Sequence, residues 1–275
     1  MSDPEHRLPA ELEHKIFELA AHAHSKSIPT LLLVARRVKI WLEPILYSMV
    51  VFCDLIDGHV CFEPVQFSSV IQSQEISEHV RRLFASHELG PHLDLVLASC
   101  SAVQNLALDS SLWPDHLLFL STMPLRRLST AIANAFPAIT LMDRLEDALW
   151  EKWKGLALIP NLTHLAFLMQ KSLAIFQGAL DACPALQVLV YLYFKGIVYE
   201  KIHLQPFAQD TRFACIPAPP FASDWQIGAR DGDDFWVRTE RFIAQRVSGQ
   251  IDRGTFVLQE DFMTHFDPSG SLWAG

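Results

Sequence analysis

Positive charge and cysteine are both scarce in this chain, and each shortage closes off a class of function. Lysine and arginine number 22 against 31 aspartates and glutamates, a formal charge of −9. A net-acidic surface repels phosphate backbones, so nucleic acid is not an expected partner. The densest basic cluster, Arg36, Arg37 and Lys39, falls on a predicted helix and reads as a solvated helix face. The five cysteines, Cys53, Cys61, Cys100, Cys183 and Cys215, are odd in number, widely spaced and never in a C-x-x-C pair. That pattern argues against a disulfide framework and a zinc site, and for buried thiols in a reducing compartment. No apolar run approaches the roughly 18 residues of a membrane helix. Residues Met1 to Arg7 are polar, with no apolar leader core behind them. The expectation is a soluble cytoplasmic or nuclear protein with no membrane partner, and the sequon Asn161-Leu162-Thr163 is then a chance match.

Catalytic signatures are missing as well. There is no G-x-S-x-G, Walker loop, G-x-G-x-x-G or H-E-x-x-H. Asp231-Gly232-Asp233-Asp234 lacks the alternating ligands and distal glutamate of a calcium loop and reads as a capping turn. His22 and His24 have the wrong helical spacing to share a metal. Cys100 and Cys183 precede repeat positions, where a structural thiol is the default over a nucleophile. No catalytic, cofactor-binding or metal residue is expected, and no cofactor.

What is present is apolar material: half of the residues are hydrophobic and 19% are charged. Such a chain can bury enough surface to fold. Its first fifty residues carry helical periodicity. Pro9 suits a first turn, Glu11 and Glu13 favour the helix N-terminus, and Leu12, Ile16, Leu19, Ala20 and Ala23 form an apolar stripe. Ser27 is a candidate cap for a second helix carrying Leu31, Leu32, Val34, Ala35 and Val38. Trp41, Leu42, Ile45 and Leu46 extend the pattern, with Pro44 set to bend or shorten it, and a β-rich run comes next, from Met49 to Cys53.

Leu8-Pro9-Ala10-Glu11-Leu12, then Ile16-Phe17-Glu18-Leu19, then Leu31 to Val34, resembles an F-box over about residues 7 to 48. The family pattern departs at Ala35, where a cysteine is usual, and the tryptophan falls at Trp41 instead of near Val38. The resemblance implies a three-helix module that binds the Skp-type adaptor of cullin–RING ubiquitin ligases. It places Leu8, Pro9, Ile16, Phe17 and Leu31 against that adaptor. Amphipathic spacing alone leaves open whether these residues meet a partner or pack the helices together.

The middle of the chain repeats itself. Val80-Arg81-Arg82-Leu83, Val103 to Leu108, Leu125-Arg126-Arg127-Leu128, Leu162 to Phe167 and Leu186 to Tyr191 share an apolar-x-x-apolar beat, mostly a little over twenty residues apart. One longer gap holds a further candidate copy, Ile139 to Met142. A period in the low twenties with L-x-x-L-x-L is the leucine-rich-repeat pattern, in which strand-plus-helix units stack on one shared core. Helix-like fillers run from Leu93 to Cys100, His116 to Ser121 and Ser172 to Ala182, and Pro124, Pro160 and Pro184 stop the chain before strands.

The two parts together resemble F-box proteins with leucine-rich repeats, across about residues 7 to 193. That resemblance implies a curved sheet receiving a target protein, with Arg81, Gln104, Arg126, Thr163, His164 and Gln187 on its concave surface; for any one of them taken alone, an ordinary solvated strand residue is the preferred reading.

Residues 205 to 224 are proline-rich and read as a loop, with one short edge strand near Arg212 to Ile216. Asp233 is the expected cap of a final helix with Trp236, Ile243 and Val247 on one face and Arg238, Arg241 and Arg246 elsewhere, anchored by Trp225 and Phe235.

The expected architecture is α/β: a helical module at 7–48, a curved parallel-sheet solenoid at 49–204, a proline-rich loop and capping helix at 205–251, and a tail at 252–275. The leading expectation for function is a non-enzymatic adaptor joining a ligase core to a target protein. A protein–protein interaction scaffold without ubiquitin chemistry is the second, and a hydrolase the third.

Overall fold

The computed structural model describes residues 8–52, 74–86, 92–132, 154–168, 173–193, 202–218, 220–230 and 232–258. Seven parallel strands form one open sheet in simple chain order. They are β1 (Met49–Phe52), β2 (Arg82–Ser86), β3 (Asn105–Leu112), β4 (Arg127–Ile132), β5 (His164–Leu168), β6 (Val188–Tyr193) and β7 (Phe213–Pro217). Ahead of the sheet stand α1 (Ala10–Ala23), the single turn α2 (Ile28–Leu31) and α3 (Arg36–Leu46). Between strands lie α4 (Gln74–Ser77), α5 (Leu93–Ser99), α6 (Leu117–Thr122) and α7 (Ala174–Ala182). After β7 come α8 (Phe221–Gly228) and α9 (Phe235–Ser248).

The repeat is visible atom by atom where each strand begins. The carbonyl of Ser48 accepts the N–H groups of Arg81 and Arg82, and that of Arg81 accepts Gln104 and Asn105. Gln104 does the same for Arg126 and Arg127, Arg126 for Thr163 and His164, and Thr163 for Gln187 and Val188. The register carries this equivalence inward: Val50, Leu83, Leu106, Leu128, Leu165, Leu189 and Phe213 lie side by side across all seven strands. Every one of them is buried. Residues 139–142, the extra candidate copy, lie outside the described residues. β4 pairs directly with β5, so the sheet continues across that long connection without an intervening strand.

Strand side chains alternate between two faces. The back face, with that ladder and Leu108, Phe167 and Tyr191, packs on α5, α6 and α7 in the main core. Phe176 of α7 meets Phe167, Tyr191, Phe207 and Phe213 at centroid distances of 5.3 to 5.5 Å. Cys100, Cys183 and Cys215 are buried free thiols. Burial raises all three, Cys100 to about 12 and Cys183 to about 11, so they stay protonated and unreactive.

The front face is apolar too, and the last two helices cover it. Trp225 of α8 and Ala229 just after it pack on Val51, Phe84 and Ala107. Phe235 and Trp236 of α9 pack on Ala166, Val188, Val190, Leu192 and Ile216. The final helix, expected as a cap beyond the last strand, thus lies across the sheet. The outer edge of β7 is taken instead by part of the expected tail: Cys215 donates its N–H to Phe256 and accepts from Leu258, with a parallel bridge to Val257. Pairing there removes an open strand edge.

Two details of α9 differ from the sequence expectation. Asp234, not Asp233, caps the helix, accepting the Val237 N–H at 2.9 Å. Arg246 is wholly buried while Val247 stands exposed. The Arg246 guanidinium donates to the carbonyls of Phe213 (2.6 Å), Arg253 (2.6 Å) and Thr211 (3.3 Å), tying the helix end to the start of β7. Gly249 closes α9 at φ +78°, a conformation glycine adopts without a Cβ penalty.

Candidate functional site

The N-terminal helices form a small core of their own. Ala21, Ile28, Val38 and Leu42 are buried, with Phe17, Leu31, Leu32, Trp41 and Ile45 packed around them. His14 stacks on Trp41 at 4.9 Å and Glu13 pairs with Arg37 at 2.6 Å, both linking α1 to α3. The chain breaks between α2 and α3, where Ala35 is extended, so the expected second helix is a single turn followed by a new start.

This core leaves an apolar stripe uncovered. Leu12, Ile16 and Leu19 follow one another at helical spacing along α1 and are 54%, 53% and 58% exposed, with Leu8 ahead of them at 55%. Leu33, Val34 and Ile40 are exposed as well. An exposed apolar row of this kind is the candidate surface of these helices, since apolar side chains are mostly buried in folded chains. Of the five residues singled out from the sequence, Leu8, Pro9 and Ile16 stand in solvent, whereas Phe17 and Leu31 turn toward the helical core.

The second candidate surface is the row where strands begin. Gln104, Arg126 and Gln187 are exposed there, and Arg81 and Thr163 partly so. His164, expected beside them, is buried beneath α9, its ring edge-on to Trp236 at 5.5 Å. Its Nε2 lies 2.7 Å from Glu240 Oε1, and its Nδ1 lies 2.7 Å from Thr163 Oγ1. Burial first, and then the neighbouring Arg127, lower the His164 pKa and favour the neutral ring. A carboxylate only accepts, so the proton sits on Nε2 and Nδ1 accepts from the Thr163 hydroxyl. Arg127 reaches the same Glu240 oxygen at 3.1 Å. Glu240 therefore pins α9 to two strands.

At the other end of the cover, Trp225 donates its indole N–H to Asn105 at 3.2 Å. Asp224 accepts the Phe235 N–H at 2.8 Å and pairs with Arg238 at 2.7 Å, joining α8 to α9. Burial raises both Asp224 and Asp234, the latter to about 6. Gly228 packs so closely on the Asp234 carboxylate that a Cβ would overlap it. None of these groups shows in sequence as a site, because they are brought together by α8 and α9 folding back over the sheet.

No family model matches this chain, and no curated protein is significantly similar to it. Among the described residues no group of three or more His, Cys, Asp or Glu side chains is placed to hold a metal ion, and no helix is long and apolar enough to cross a membrane.

Proposed function

We propose that this chain is a recruiting adaptor of a cullin–RING ubiquitin ligase, with α1 to α3 docking on a Skp-type adaptor and the repeats presenting a target protein. The observation that carries the reading is the open stripe Leu8, Leu12, Ile16 and Leu19 on a helical unit that has a small packed core of its own. A helix partner would bury this stripe by the helix-in-groove mode, at about 25 cal/mol per Å² of apolar area removed from water. Ubiquitin transfer then depends on proximity within the complex and needs no catalytic residue here. Because α8 and α9 occupy the front face, a target meets the repeats along the exposed row of Gln104, Arg126 and Gln187. Such an adaptor works in the cytoplasm or nucleus.

A second reading is an interaction scaffold that does not engage the ligase. Phe17 and Leu31, which the F-box resemblance assigns to the adaptor, pack inward, and this favours it. Co-purification with a Skp-type adaptor separates the two. The ligase reading expects capture by the wild-type chain and loss of capture on Leu12→Glu or Ile16→Glu at unchanged melting temperature. Capture that survives both changes, or no capture by the wild type, removes it.

A further inference from the structure

At the rim of the sheet, just ahead of β5, Thr163 is half-buried, and the next residue, His164, is buried under α9. The Thr163 hydroxyl donates to His164 Nδ1 at 2.7 Å, and His164 Nε2 donates to Glu240 Oε1 at 2.7 Å. The Arg126 carbonyl also lies near the hydroxyl, but farther off at 3.2 Å. A hydroxyl, an imidazole and a carboxylate thus stand in one hydrogen-bonded line, the order of nucleophile, base and orienting acid. Each part is held. Arg127 fixes the Glu240 oxygen at 3.1 Å, and the Trp236 ring meets the imidazole edge-on at 5.5 Å. With its proton on Nε2, the ring turns the Nδ1 lone pair to the hydroxyl, and burial favours this neutral form.

We propose that Thr163, His164 and Glu240 form a nucleophilic site that hydrolyses esters of small carboxylic acids. Thr163 Oγ1 bonds to the ester carbonyl carbon while its proton passes to His164 Nδ1, and Glu240 stabilises the imidazolium. The bond from that carbon to the alcohol oxygen breaks, and the alcohol leaves with the proton from Nδ1. Water then attacks the acyl-threonine, its proton taken by Nδ1, and the free acid departs as the hydroxyl is restored. Arg126 and Gln187 flank Thr163 on the adjoining strands, joined to it by backbone hydrogen bonds, and both are exposed. Neighbouring strands lie about 4.8 Å apart, so both long side chains reach the space above Thr163 and supply N–H donors for the developing oxyanion. The same spacing limits the acyl group to a short one. The activity is separate from the adaptor reading, since none of these residues lies on α1 to α3.

Hydrolysis of p-nitrophenyl acetate by the full chain tests the proposal, with mass spectrometry of the acid-quenched protein. The expected result is a burst of p-nitrophenol stoichiometric with the chain, then slower turnover, with one acetyl group on Thr163. Thr163→Val abolishes the burst and Thr163→Ser retains it, which separates loss of the nucleophile from loss of the fold. Glu240→Gln slows acylation by about a hundredfold or more. Because burial and Arg127 lower the His164 pKa, the acylation rate falls on acidification only below the ordinary histidine value of about 6.5. Absence of a burst, a burst that survives Thr163→Val, a rate unchanged by Glu240→Gln, or acetyl groups on lysine or histidine with none on Thr163 overturns it.

Discussion

The N-terminal helices and the front of the sheet begin from the same problem, an apolar surface facing outward, and the chain treats them in opposite ways. On α1, Leu12, Ile16 and Leu19 remain more than half exposed. On the sheet, Phe84, Ala107, Ala166 and Val190 would form a broader apolar field, yet each is at most 1% exposed because α8 and α9 lie on them. The sealed face belongs to the core, and the open face is where the proposed adaptor would dock.

The comparison breaks first if the cover is dispensable. Trp236→Ala removes a fully buried indole from α9 and is expected to cost about 3–5 kcal/mol, read from urea denaturation; a loss under about 1 kcal/mol would make the cover peripheral. The cover should also give stability a pH dependence. An ordinary aspartate titrates near about 3.9, whereas Asp234 in the folded chain is held up to about 6, mainly by burial. Between those values the folded state keeps a proton that the unfolded state has released. The stabilising contribution is therefore complete at low pH and is lost as pH rises through about 6, at up to about 1.4 kcal/mol per unit. Asp224, also raised by burial, acts in the same direction. His164, lowered by burial and Arg127, acts oppositely on acidification. Asp234→Asn retains a capping oxygen and should flatten the Asp234 part of the profile; an unchanged profile would contradict this assignment.

Gly228→Ala drives a methyl into the Asp234 carboxylate and should cost about 1–3 kcal/mol, measured as a fall in the denaturation midpoint at constant slope. The smallest stability effect is expected on the open side. Leu12→Ser should change stability by no more than about 0.5 kcal/mol, because its side chain has little to lose on folding, while still weakening any partner that uses the stripe.

Much of the repeat was legible in sequence because it rests on local signals. The leucine beat, the prolines ahead of strands and the apolar fillers place β2 to β6 and α5 to α7 close to where they stand. The cover was not legible from α9 itself, since an amphipathic helix has the same pattern whether it caps an end or lies on a face. A signal did exist in the strands. Val188 to Tyr193 is an unbroken apolar run, and Ala107, Ala166 and Val190 sit where a solvated front face would carry polar groups. Continuous apolar strands belong to parallel sheets covered on both sides. Arg246 misled for a related reason. An arginine in a helical pattern reads as solvent-facing, but three backbone carbonyls at the β7 end and the turn after α9 satisfy it in the interior. On the N-terminal helices periodicity identified the apolar stripe but not its inward members, so Phe17 and Leu31 could be told from Ile16 only once the helices were packed.

Hydrogen–deuterium exchange on the full chain, alone and mixed with a Skp-type adaptor, tests the contrast between open and sealed faces most directly. The expected result is slow exchange in α8, α9 and strands β5 to β7 in the free chain, unaltered by the adaptor, with new protection confined to α1 through α3. Rapid exchange of α8 and α9 in the free chain, or adaptor-induced protection on them with α1 unchanged, would contradict the account.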